Sequence, residues 1–200
     1  MSAMSRRASG GVTLIELIVF IVIVGLAMAG VLAAFNTITA ASADPQVRKQ
    51  VLAIAESLMD EVALMPFTFC DPDDANAATA TNSTLGAGGC ATLSEDTAIG
   101  PETQSGTPES RYSTTIPFDN VSDYHGFSMG PGIQDITNTT IAGLGAYSAI
   151  ITVTQAGLAS GVNLIPAADA LRISVTVTGP GGVSTTLEGY RTRYAPNTLP

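Results

Sequence analysis

Residues 14–35 are apolar or small at every position except Glu16, so this segment has no polar face to present to water. Its length is close to the ~20 residues that cross a bilayer as a helix. Further on the pattern changes. Val47, Val51, Ile54, Leu58, Val62 and Met65 recur at spacings of three and four, with Arg48, Lys49, Glu56, Asp60 and Glu61 between them. One apolar stripe of this kind predicts a helix lying on a core. Asp44-Pro45 falls between the two patterns, where it either kinks a single helix or starts a second one, with Asp44 as cap and Pro45 in the first turn. Pro66 ends the run. Unbroken from Thr13, such a helix would be about 80 Å long at 1.5 Å per residue.

Residues 70–145 are rich in Gly, Pro, Ser and Thr, and only 112–117 read as a short strand. Segments 147–154 and 171–178 are β-branched and largely alternating, Gly179-Pro180-Gly181-Gly182 makes a turn, and 183–190 return as a third strand. An antiparallel meander results, with one face available to the 47–65 stripe. The predicted class is therefore α+β: a long N-terminal helical spine, membrane-spanning in its first half, packed on a C-terminal antiparallel sheet.

Charge orients this arrangement. Arg6 and Arg7 precede the apolar segment and no Lys or Arg follows until Arg48, so the positive-inside bias leaves the N-terminus in the cytoplasm and exports the rest. A net charge of −9 with a single lysine excludes a phosphate-neutralising surface, so nucleic acid is not an expected partner. The two cysteines, Cys70 and Cys90, read as a disulfide in an oxidising compartment. No second pair or nearby His completes a metal site around them.

Three motifs point to chemistry and fall short. Gly126-Phe127-Ser128-Met129-Gly130 fits a nucleophile elbow, but Pro131-Gly132 opposes the helix that must follow, and the only histidine is His125. Asp71, Asp73 and Asp74 begin a calcium-loop pattern that Ala75 and Asn76 do not continue. Asp119, Asn120 and Asp123 form a second acidic group. Both are expected to be solvated loops, with no metal and no cofactor assigned and no enzymatic activity.

Glu16 remains. A charge deep in a membrane helix costs ~2.5–3.5 kcal/mol on insertion scales, so it calls for a partner. The order Gly11-Val12-Thr13-Leu14-Ile15-Glu16-Leu17 ahead of a long apolar run resembles the processing signal of type IV pilins and type II secretion pseudopilins. The resemblance implies cleavage of the Gly11-Val12 bond by a prepilin peptidase and N-methylation of Val12, although Phe is commoner there. It also implies a salt bridge from Glu16 to the new amine of the same or a neighbouring subunit. Segments 56–62, 118–126 and 189–194, with the two cysteines, further resemble minor pilins of the mannose-sensitive haemagglutinin (MSHA) pilus. PilV-like and type II secretion I-type minor subunits share the acidic helix segment. On this reading 1–11 are a leader, 12–35 a transmembrane and assembly half-helix, 36–66 its amphipathic half and 67–200 a periplasmic β-rich domain. The implied partners are other pilin subunits, the prepilin peptidase, and the inner-membrane assembly platform with its ATPase. A different class, a secreted adhesive domain, would be released by cleavage after Ala43, since Ala41-Ser42-Ala43 fits a signal-peptidase site.

Overall fold

The computed structural model describes residues 13–95, 99–104, 106–160 and 163–198, and the side chains of all of these but 37–44, 160 and 163. The chain divides into two compact units, Met1–Pro45 and Gln46–Pro200. Helix α1 spans Leu14–Leu64, with Pro45 inside it, and so contributes to both. The class is α+β, as the sequence predicts.

Within the first unit, Leu14–Asn36 is long and apolar enough to cross a membrane, and none of it is buried within the protein. Leu14, Leu17, Phe20, Ile23, Leu26 and Phe35 are all exposed. Apolar side chains bared around the whole circumference have no counterpart in a water-soluble helix, which hides at least one face.

The second unit has its own core. Strands β1 (Thr103–Gln104) and β2 (Thr107–Pro108) form one small hairpin, and β5 (Leu158–Ser160) and β6 (Asn163–Ile165) another. The main sheet runs β3-β4-β7-β8, antiparallel throughout, from β3 (Ser128–Met129), β4 (Ser148–Gln155), β7 (Ala170–Thr178) and β8 (Ser184–Thr192). Alternation decides which face is inward. Ala149, Ile151 and Val153 pair with Val177, Val175 and Ile173, and all six are buried. Val51, Ile54, Leu58 and Val62 of the predicted helical stripe join them in one cluster, with Val47 and Met65 at its margin. Burying each Val, Leu or Ile contributes roughly 1.5–3 kcal/mol, so this contact dominates the stability of the unit. Gly189 lets the helix approach β8, because a Cβ there would lie 3.2 Å from Met59 Sδ.

The expected turn forms at Pro180–Gly182, where Gly181 and Gly182 both take positive φ. The expected strand at 112–117 does not form. Ser113 Oγ accepts hydrogen bonds from the backbone N–H groups of Thr115 (3.3 Å) and Ile116 (3.1 Å), and this local side-chain turn displaces a ladder. Phe118, Tyr124 and Phe127 stack edge-to-face just beyond it, their centroids 5.0–6.3 Å apart.

Candidate functional site

Glu16 occupies the first turn of α1. Its backbone N–H donates to Thr13 O (3.1 Å) and lies 3.4 Å from Thr13 Oγ1, so Thr13 caps the helix and Glu16 stands at the third helical position. Thr13-Leu14-Ile15-Glu16 thus has the sequence form of a capping box, and the helix dipole favours a carboxylate at that end. Gly11 and Val12 lie outside the described residues.

Cys70 and Cys90 are joined in a disulfide with their Cα atoms 5.4 Å apart. The enclosed loop packs little apolar surface besides Ala77 and Ala80, with Phe69 against them, so hydrogen bonds and the covalent link shape it. Asn76 Nδ2 donates to Gly89 O (2.9 Å), and Asp74 accepts from the backbone N–H groups of Asn76, Ala91, Thr92 and Leu93 at 2.7–2.9 Å. Burial alone would raise the Asp74 carboxyl, but these four donors outweigh it and hold it well below the usual carboxylate range. The C-terminal segment closes over the lobe, with Asn197 Nδ2 donating to Ala77 O and Ala80 O, each at 2.9 Å.

Contrary to the sequence expectation of solvated acidic loops, Asp71, Asp74, Asn120 and Asp123 are buried and Asp119 is half-buried, while Asp73 stays exposed. The backbone pairing of Cys70 with Ser94 and the bond from Glu95 N–H to Phe69 O (3.3 Å) set Asp71 beside Glu95. Glu102 and Glu109 flank the β1/β2 hairpin, whose ladder the bond from Glu109 N–H to Glu102 O (2.9 Å) extends. The short helical turn Ser122–Tyr124 presents Asp123, and Asp119 precedes it. Four chain segments thereby bring six carboxylates together. In three overlapping triads (Asp71, Glu95, Glu102; Asp71, Glu109, Asp119; Glu102, Glu109, Asp123), one oxygen from each residue lies within 4.8 Å of the others. Asp71 and Asp123 are fully buried, and Glu95 is only 2% exposed.

Burial first, and then neighbouring carboxylates, raise these groups: Glu102 to about 10, Glu109 to about 8, Asp119 to about 7. Burial likewise raises Asp123 to about 6, against the two backbone N–H groups of Asp119 and Asn120 that donate to its Oδ2. Glu95 lies well above its ordinary value, again through burial and then the Asp123 charge. The sequence reading singles out Asp71, Asp119 and Asp123 but passes over Glu95, Glu102 and Glu109. The available signal is charge bookkeeping along the chain: seven carboxylates and no Lys or Arg lie between Pro66 and Arg111.

The first arginine after that stretch is already committed. Arg111 makes a two-pronged pair with Glu61 of α1 at 2.6 and 2.7 Å, and Tyr124 O–H donates to the same carboxylate at 3.0 Å. Ser128 sits on edge strand β3, with no α-helix after it among the described residues, and His125 Nδ1 accepts the Val153 N–H at 3.3 Å.

Residues 6–32 match the family described as the prokaryotic N-terminal methylation motif, the type IV pilin-like signal. The match covers Gly11, Val12, Glu16 and most of the apolar helix. No curated protein and no solved structure matches the chain significantly.

Proposed function

We propose that this chain is a non-enzymatic minor subunit of an MSHA-type pilus, processed by a prepilin peptidase at the Gly11-Val12 bond and methylated on Val12. The methylation-motif match over residues 6–32 carries the reading, because it overlaps the helical segment Leu14–Asn36, which is apolar on all sides and holds one carboxylate, Glu16. On this proposal 1–11 are the leader, 12–35 the membrane and assembly half of the helix, 36–66 its amphipathic half, and 67–200 a periplasmic domain. The subunit waits in the inner membrane with its N-terminus in the cytoplasm. The platform protein and ATPase then draw it into a filament with other pilins, where the bared apolar surface is covered by neighbouring helices. Glu16 pairs with the Val12 amine of the same or an adjacent subunit, which neutralises a charge that hydrocarbon does not tolerate and sets axial register.

Mass spectrometry of the mature N-terminus tests the processing: methyl-Val12 supports it, and a chain beginning at Asp44 makes the protein a signal-peptidase product. Glu16→Ala is expected to insert in the membrane at normal levels but to be lost from sheared filaments. Normal incorporation of that variant would refute the pairing.

A further inference from the structure

We propose that Asp71, Glu95, Glu102, Glu109, Asp119 and Asp123 form a calcium-binding site in the loops between α1 and β4. Acidic clusters are common on protein surfaces, but this one is inside. With all six groups ionised, seven of its buried carboxylate oxygens have no hydrogen-bond donor: Asp71 Oδ2, Glu95 Oε1, both oxygens of Glu102, Glu109 Oε2, Asp119 Oδ1 and Asp123 Oδ1. In Asp123, Glu95 and Asp71 the opposite oxygen is the anchor. Asp123 Oδ2 accepts the N–H groups of Asp119 (2.9 Å) and Asn120 (2.7 Å), Glu95 Oε2 accepts from Ser122 Oγ, and Asp71 Oδ1 accepts the Asp73 N–H at 2.6 Å. Each of these residues is held by one oxygen while the other is left toward the cluster. A buried acceptor without a donor costs about 1–3 kcal/mol, more when charged, so such convergence demands a positive occupant or shared protons.

The donor set selects the ion. All ligands are carboxylate oxygens, both cysteines are consumed in the disulfide, and His125 Nδ1 faces the Val153 N–H, so soft and borderline metals gain nothing here. Calcium takes six to eight oxygens at ~2.3–2.6 Å in flexible geometry, and oxygens on opposite sides of such an ion stand up to about 5 Å apart. Within each triad the three oxygens lie close enough together for one such ion to touch them all. Magnesium requires a tighter octahedron near 2.1 Å and keeps its water, which suits a six-carboxylate cage poorly. The triads share Asp71, Glu102 and Glu109, so one ion or two adjacent ions can be held by the same residues.

The test uses the full-length protein in detergent, stripped with chelator, dialysed and titrated with calcium chloride by calorimetry, with the thermal midpoint followed in parallel. Saturable binding with a Kd below about 1 mM is expected, with a midpoint that climbs as calcium is raised. The Glu102→Gln/Glu109→Gln double variant should weaken binding about tenfold or more, since affinity follows ligand charge. Asp135→Asn, which alters an exposed turn, should leave it unchanged. Absence of saturable binding overturns the proposal, as does an equal response to magnesium or an undiminished response in the double variant. If the double variant does not fold, the wild-type titration with calcium against magnesium decides alone. The cage lies wholly within Gln46–Pro200, so this outcome is independent of how the N-terminus is processed.

Discussion

Removing the charge of Glu61 should destabilise the globular unit more than any other single change on the polar side of α1. Arg111 is only 6% exposed and Glu61 25%, and the two meet through a two-pronged contact at 2.6 and 2.7 Å. Arg111 Nη1 also donates to Gln134 O (3.3 Å) and Asp135 O (3.2 Å), so the guanidinium pins the loop at 134–135 to the helix. The rings of Tyr112 and Phe127 lie 5.5 and 5.8 Å from it. Glu61→Gln keeps the shape and one acceptor oxygen but leaves that cation without a counter-charge and turns the other prong into an N–H facing an N–H. Breaking a buried pair from one side costs ~3–5 kcal/mol. A quarter of Glu61 is exposed and water screens it in part, so the lower end, about 3 kcal/mol, is the appropriate figure. For a unit of this size each kcal/mol moves the midpoint by ~2–4 °C, giving a fall of roughly 6–12 °C. Calorimetric unfolding in detergent reads it directly. Arg111→Met should cost less when combined with Glu61→Gln than the two single effects added, by about 1 kcal/mol or more. A fall under about 2 °C for Glu61→Gln, or strict additivity in the double variant, would refute the account.

Other perturbations separate the remaining contributions. Replacing Cys70 and Cys90 together by Ala should cost about 3 kcal/mol for a loop of this length and open residues 71–89 to protease; unchanged digestion would mean that hydrogen bonds alone hold the lobe. Leu58→Ala empties part of the contact between helix and sheet and should cost about 3 kcal/mol, whereas the half-exposed Leu52→Ala should cost under about 1 kcal/mol; equal urea midpoints would remove the stripe from the core. In chelator, stability should fall as pH rises from 5 to 9. Glu102 at about 10, Glu109 at about 8 and Asp119 at about 7 keep protons that the unfolded chain releases near pH 4, so the native state binds more protons across that window. Asp74, held low by four backbone donors, acts oppositely, and its contribution disappears only on acidification below its ordinary value. A flat or rising profile of urea midpoints between pH 5 and 9 would contradict the burial of the cage.

Local patterns written along the chain were legible without coordinates. The apolar run carries its own helical signal, the stripe at 47–65 names the face that meets the sheet, and alternation at 147–154 and 171–178 fixes which residues of β4 and β7 point inward. The three strands and the glycine turn lie within a residue or two of where their patterns place them. Glu16 is conspicuous because a lone carboxylate in hydrocarbon-compatible sequence is expensive. The strand expected at 112–117 failed for a local reason, since Ser113 offers the backbone a competing partner.

The cage was beyond such reading. Its six carboxylates come from four segments separated by up to 52 positions, between Asp71 and Asp123, and neither helical nor strand periodicity links them. Acidic loop residues read as solvated because hydration is the cheapest state for a charge, and only tertiary contacts can impose another. Here the disulfide, the β1/β2 hairpin and the turn at Ser122–Tyr124 each remove water from a different carboxylate and aim it inward. The sequence alone determined the methylation motif, the helix and the sheet, because each depends on neighbours a few residues apart. Where the negative charge converges depends on contacts between distant loops, and that the tertiary structure alone decided.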